Sequence, residues 1–336
     1  MNLTIPVSRV KRFAVFALFV ASALRSEFIF ETAPFPSCHA STIVEIGPGE
    51  FLAAWFGGTA EGKPDVAIWS ARLKQGKWSA PVELAREPQI ATYNPVLFHS
   101  ADRTLWFYYR FGPHPTTWTS ARRMSKDGGQ TWSETEYLPA GLLGPIRNKP
   151  LLLGDGSLIS GTSVESYQAW TSWIERSTDN GQSWTRHGPL IYPGVNKGSI
   201  QPAVVPLGPN RLRAFVRTTQ AIGKVAYADS TDGGRTWTAL KASGLPNPNS
   251  GIDAVGLKDG RIVMAYNHSG AKRSPLNLAV SRDGETWKMF KVLESEPGEY
   301  SYPAIIQASG GNLHVTYTWR RQRISHVEIP LSEIPH

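Results

Sequence analysis

Cysteine is nearly absent: Cys38 is the only one in 336 residues. No intrachain disulfide can form, so packing alone must hold the fold, which suits a large domain. Cys38 reads as a small residue packed at a strand start. Metal-binding patterns are missing too. There is no His-x-x-x-His pair and no cysteine cluster, so no metal and no other cofactor is expected. No lysine-rich helical stripe or nucleic-acid motif occurs either, which argues against a polynucleotide partner.

Long apolar runs are scarce. The one of note, Phe13 to Val20, follows Arg9, Lys11 and Arg12 and precedes Ala21-Ser22-Ala23. That order is the n-, h- and c-region pattern of a secretory signal peptide, and the run is too short to span a bilayer. Residues 1–23 are therefore expected to be removed. Residues 24–336 should then form one monomeric, secreted or periplasmic domain with no membrane partner. Without the three basic signal residues the net charge of +8 falls to +5. A mildly basic exported protein suits an anionic substrate.

What the chain does have is a repeat. Ser125-Lys126-Asp127-Gly128-Gly129-Gln130-Thr131-Trp132 recurs from Ser177 to Trp184 and from Ser230 to Trp237, and a copy one residue shorter runs from Ser281 to Trp287. The starts lie 52, 53 and 51 residues apart, and Ser70 to Trp78 reads as a worn copy. This is an Asp-box. Its Asp and Ser/Thr side chains can bond their own hairpin loop, its glycines accept positive φ, and its Trp can wedge into the core. Four even copies in a mature chain of about 313 residues divide it into six units. Between boxes, short apolar runs alternate with Gly, Pro and Asn, as in Gln201–Val205, Arg211–Arg217 and Lys224–Asp229. The expectation is an all-β, six-bladed β-propeller with four strands per blade. The sixth unit lacks a box and shows three strands, so the spare strand Glu27–Glu31 is expected to complete it and remove an open edge.

The boxes sit in third hairpins and mark the bottom face. The top is then expected to collect the starts of first strands, the ends of second strands and the loops between second and third strands. Those positions are strongly polar: His39, Glu61, Lys63 and Asp65 in blade one, with Tyr93, Asn94, Arg110 and His114 in blade two. Blade three supplies Arg147, Asn148, Lys149 and Glu165, and blade four Gln201 and Arg217. Blade five supplies Asn247, Asn249, Asp253, Asn267, His268 and Arg273; blade six supplies Glu299, Tyr300, Tyr302, Trp319, Arg320 and Arg321. Arg110 and Arg217 each end an otherwise apolar strand, where a guanidinium can fork onto a carboxylate or sulfate. Trp55, Tyr93 and Trp319 are candidate platforms for sugar rings.

The chain resembles the sialidase (neuraminidase) superfamily over essentially its whole mature length, and more closely its Asp-box, BNR-repeat sialidase-like members. That resemblance implies an arginine triad gripping a substrate carboxylate, an acidic acid/base and a tyrosine nucleophile activated by glutamate. Arg217 looks like the second triad arginine and Arg273 like the third. Tyr300 falls where the nucleophile opens blade six, and Glu61 or Asp65 where the acid/base lies. Two positions depart from the pattern. Phe35-Pro36-Ser37-Cys38-His39 stands where the family has Phe-Arg-Ile-Pro, and Gln201 stands where it has the activating glutamate. Glutamine cannot take a proton from tyrosine.

Three functions remain open at this point, all on an anionic oligo- or polysaccharide. In the first, a glycoside hydrolase, Arg217 and Arg273 hold the carboxylate, Glu61 or Asp65 protonates the leaving oxygen, and Asp253 is the base or stabiliser. In the second, a lyase for uronate-containing glycans, His39 or Tyr302 moves the protons. The third is a non-catalytic glycan-binding propeller. Arg110, Asn94, Arg147, Lys149, Gln201, Asn249, Trp319 and Arg321 complete the expected binding face.

Overall fold

The computed structural model describes Met1 and residues 25–336. The expected signal segment, 1–23, lies almost wholly outside the described residues. Six antiparallel sheets follow one another around a ring. Blade one is built on Ser37–Gly47, Glu50–Gly58 and Ala67–Lys74, with two short outer strands, Lys77–Trp78 and Val82–Ala85. The inner strands of blades two to six are Thr92–His99, Leu151–Leu152, Ser199–Gly208, Asp253–Gly256 and Tyr300–Gln307. In blade six the N-terminal strand Arg25–Phe28 pairs antiparallel with Arg323–Ile329, placing Phe28 opposite Ser325. The ring is closed as expected, with strand bounds shifted by a few residues.

Apolar side chains from facing sheets form the seams between blades. Ala54, Phe56, Leu97, Phe107 and Tyr109 join blades one and two, and Val263, Leu278, Val315 and Tyr317 join blades five and six. Each is at most 2 % exposed, so transfer out of water gives roughly 1.5–3 kcal/mol for each of the large ones. The four boxes behave as expected. In the first, Asp127 accepts from Ser125 Oγ at 2.7 Å and from the Gln130 and Thr131 amides at 2.9 Å. The box of blade three is also clasped by its neighbour: Trp106 Nε1 donates to Asn180 O at 2.8 Å and Arg122 Nη1 to Gly181 O at 2.8 Å. Ser70–Trp78 differs. That hairpin turns on two residues, Gln75 and Gly76, with φ of 51° and 74°. A turn this tight leaves no loop for an aspartate to cap, so the resemblance to a box there is residual.

One backbone feature recurs at the top of the inner strands. The ladder slips between His39 and Thr42, Tyr93 and Val96, Ile200 and Ala203, and Ser301 and Ala304. At each slip one residue takes a left-handed conformation: Ala40 (φ 56°), Asn94 (41°), Gln201 (58°) and Tyr302 (53°). The last three precede proline, which further restricts the backbone. Such bulges store strain and re-aim a side chain. The wall here is tight. A Cβ on Gly161 would sit 2.1 Å from Pro202 O, beside the Gln201 bulge, so only glycine lets blades three and four meet.

Candidate functional site

The bulges gather Gln201, Tyr302 and His39 at one point. Tyr302 lies at the centre. Its hydroxyl accepts from Arg217 Nη1 at 2.6 Å and lies 3.5 Å from Gln201 Nε2. The guanidinium carbons of Arg147, Arg217 and Arg273 lie 5.1, 5.6 and 5.6 Å from its ring centre. The His39 ring is 4.2 Å away, and its Nδ1 meets Thr318 Oγ1 at 3.0 Å. His39 Nε2 is buried without a partner. Burial, joined by the charges of Arg321, Arg273, Arg147 and Arg217, holds the imidazole well below its usual range and therefore neutral.

The four arginines are held differently. Arg217 is fixed by Asn249, which accepts from its Nε at 2.9 Å, and by Gln201 Oε1 at 3.3 Å from Nη1. Arg147 donates from Nη2 to the carbonyls of Tyr302 and Pro303 at 2.6 and 2.8 Å, so it props the bulge from beneath. Burial lowers its pKa to about 10, which leaves it charged at neutral pH. Neither Arg147 nor Arg217 forms an ion pair among the described residues. Arg273 and Arg321 share Glu299, at 2.8 and 3.0 Å, and Arg321 also meets Glu61 at 2.5 Å. Burial works against ionisation of Glu299, but Arg321 and Arg273 win and hold its carboxyl below the ordinary value. Of the four guanidinium groups around the phenol, two are ion-paired, to Glu299 and Glu61, and two are not.

Several expected residues lie elsewhere. Tyr300 is not beside the clamp. Its ring is buried in the blade five–six seam and its hydroxyl accepts from Arg320 Nε and Nη2 at 3.2 and 3.1 Å. The bulge between Ser301 and Ala304 brings Tyr302 inward instead. Asp253 is 1 % exposed and saturated, by Lys149 Nζ at 2.9 and 3.1 Å and by the amides of Ala254 and Ile305 at 2.9 Å. It joins blades three, five and six and is not free to act as a base; Lys149 is correspondingly spent. Asp65 is exposed and accepts from the amide and hydroxyl of Thr59 at 2.8 and 2.6 Å, which with the other bonds of its loop holds it below its usual range. That is a loop cap. Arg110 exposes no surface, donates to Tyr109 O at 3.1 Å and has Glu175 and Tyr108 as charge neighbours, so it belongs to the blade two–three seam. Trp319 packs edge-on against Phe28 at 5.2 Å beneath Arg320, and Trp55 is fully buried against Phe30. Neither is a platform. Asn94 holds its inward bulge position. Tyr93 is 3 % exposed; its ring lies 4.9 Å from Trp118 and its hydroxyl lies beneath Gly62.

Two carboxylates that stood among the top-face polar groups without an assigned role gain weight in the structure. Glu299 fixes the rotamers of two arginines. Glu165 lies two residues beyond Ser163, whose Oγ accepts from the Gln201 amide at 3.3 Å, so both share the strand face turned to blade four, where Glu165 feels the charges of Arg217 and Glu61. Arg320 and Arg321 form an unusual turn with φ of 51° and 57°. An Asn-Gly pair would have signalled that turn; Arg-Arg does not. Among the described residues no three His, Cys, Asp or Glu side chains converge as a metal site requires.

Residues 49–315 match the BNR repeat-like domain. No curated protein matches the chain. Among solved structures it is similar to a protein of unknown function from Dyadobacter fermentans, at 19 % identity and a TM-score of 0.75 over 92 % of this chain and all of that one. It is also similar to the NanB sialidase from Streptococcus pneumoniae, at 13 % identity, TM-score 0.75, covering 92 % of this chain and 71 % of that one. The intramolecular trans-sialidase from Ruminococcus gnavus gives 13 % identity and a TM-score of 0.74, covering 92 % and 98 %. At these identities the likeness is one of fold. The family match spans most of the chain, and the chain belongs to the BNR repeat-like family, with a sialidase-like propeller.

Proposed function

We propose that the protein is a glycoside hydrolase that cleaves the bond at or beside an acidic sugar, such as a sialic or uronic acid. The observation that carries this reading is Arg217, a residue only 6 % exposed whose guanidinium forms no ion pair among the described residues and is hydrogen-bonded to the central phenol. A buried cation without a counter-ion is costly unless something supplies the charge. A substrate carboxylate does so, and Arg217, Arg273 and Arg321 offer forked donors to it. Glu299 keeps two of those forks in place without neutralising the third. Tyr302 and Gln201, both bonded to Arg217, hold its fork in place at the centre of the clamp. The sialidase-like fold supports the same reaction class by analogy.

One observation favours a second reading. His39 is neutral, carries a free Nε2 and touches Tyr302, a base and acid pair such as elimination from a uronate requires. The two reactions differ by a molecule of water. Purified protein is incubated with sialylated and uronate-containing oligosaccharides, and the products are weighed by mass spectrometry. Hydrolysis adds one water to the summed fragments. Fragments lacking that water, with new near-ultraviolet absorbance, replace the hydrolase by a lyase; intact substrates throughout remove both.

A further inference from the structure

Hydrolysis needs a proton donor for the leaving oxygen, and most carboxylates around the clamp are already committed. Asp65 is spent on Thr59, Asp253 on Lys149 and two amides, and Glu299 on Arg273 and Arg321. Glu61 is exposed and paired with Arg321. Glu165 is different. It ends the second strand of blade three, Leu158–Glu165, on the top face and is half-buried. Among the described residues its carboxyl forms no hydrogen bond and no ion pair. A tight hairpin, closed by Ser166 N to Ala169 O at 2.8 Å, follows it directly and fixes its backbone. We infer that Glu165 is the general acid of this site, carried on the strand face that Ser163 joins to Gln201 beside the clamp.

Resting on the hydrolase reading, the step balances as follows. The Glu165 proton passes to the glycosidic oxygen while the bond from that oxygen to the anomeric carbon breaks, and the bonding pair leaves with the oxygen as an alcohol. A water oxygen then bonds the anomeric carbon, and one of its protons returns to the Glu165 carboxylate. Burial pushes the Glu165 carboxyl above its ordinary range, against the pull of Arg217 and with help from Glu61. The group is therefore better able to hold a proton to deliver than an exposed carboxylate would be.

The test compares two substrates of the acidic sugar, sialic or glucuronic, that the oligosaccharide panel shows to be released: its methyl glycoside and its 2,4-dinitrophenyl glycoside. The methyl glycoside needs a proton to leave; the dinitrophenyl glycoside does not. Glu165→Gln is expected to slow the first by about 1000-fold and the second by less than about 10-fold, and to abolish the alkaline limb of the kcat/KM profile for the first. Asp65→Asn serves as control and should leave both rates within about twofold. Equal losses on both substrates, or no loss on either, overturn the assignment. If the unmodified protein cleaves neither glycoside, the hydrolase reading falls and the assignment with it.

Discussion

The two faces of the ring are built from the same kind of hairpin yet treat charge in opposite ways. On the bottom, each box aspartate is saturated by its own loop. Asp283 accepts from the Glu285 and Thr286 amides and Ser281 Oγ at 2.7–2.9 Å, and those bonds hold its carboxyl at about 2. On the top, Arg147 and Arg217 are buried without carboxylate partners, His39 Nε2 and the Arg147 Nε and Nη1 atoms lack partners, and the backbone is strained at Gln201 and Tyr302. A face that satisfies itself is built for folding. A face left polar, positive and strained is built to receive something, because those terms persist only where the surrounding structure imposes them.

Arg217→Ala removes the central charge of the open face. With the ring intact by circular dichroism, kcat/KM on an acidic glycoside should fall by about 1000-fold, as loss of a preorganised charge-assisted contact does; a loss below tenfold would show that the clamp is not the binding site. Next, Lys149→Met should destabilise the fold by about 3 kcal/mol or more in urea melts, because it strands the buried Asp253 carboxylate. Adding Asp253→Leu should restore part of the loss, whereas no effect of the single change would mean that the pair does not tie blades three and five together. Tyr302→Phe and Tyr300→Phe separate the centre from the seam. The first should lower kcat by about 100-fold and the second by less than about threefold; the reverse order would return the catalytic role to Tyr300. The smallest effect belongs to the bottom face. Asp179→Ala, in the blade-three box, should lower Tm by a few degrees and leave kcat/KM within about twofold.

What could be read from the chain divides along physical lines. The boxes, the six blades and the closing strand rest on local signals: glycine and aspartate in turns, alternation in strands, a spare strand near one end. These are properties of a few adjacent residues. The inward or outward sense of a side chain near a strand end is not. A bulge reverses the parity of every residue beyond it, and the slip between Ser301 and Ala304 is why Tyr302 and not Tyr300 meets the arginines. Arg110 and Arg217 stand opposite equivalent positions, Tyr93 and Ile200. One is enclosed beside Glu175 and the other reaches the central phenol, a difference made by neighbouring blades and invisible in either strand. Asp253 reads as a free carboxylate until Lys149, 104 positions earlier, is seen to bind it.

The strand that completes blade six also governs timing. Arg25 and Glu328 are paired across roughly 300 residues, so the contact that seals the ring is among the most distant in sequence the molecule makes. Contacts of that kind form slowly, because the chain between their ends must be organised first. Until they form, Arg323–Ile329 presents an unpaired edge able to recruit a strand from another molecule. Sealing is therefore the step at which refolding and aggregation compete, and variants that weaken the first strand should show themselves first in yield.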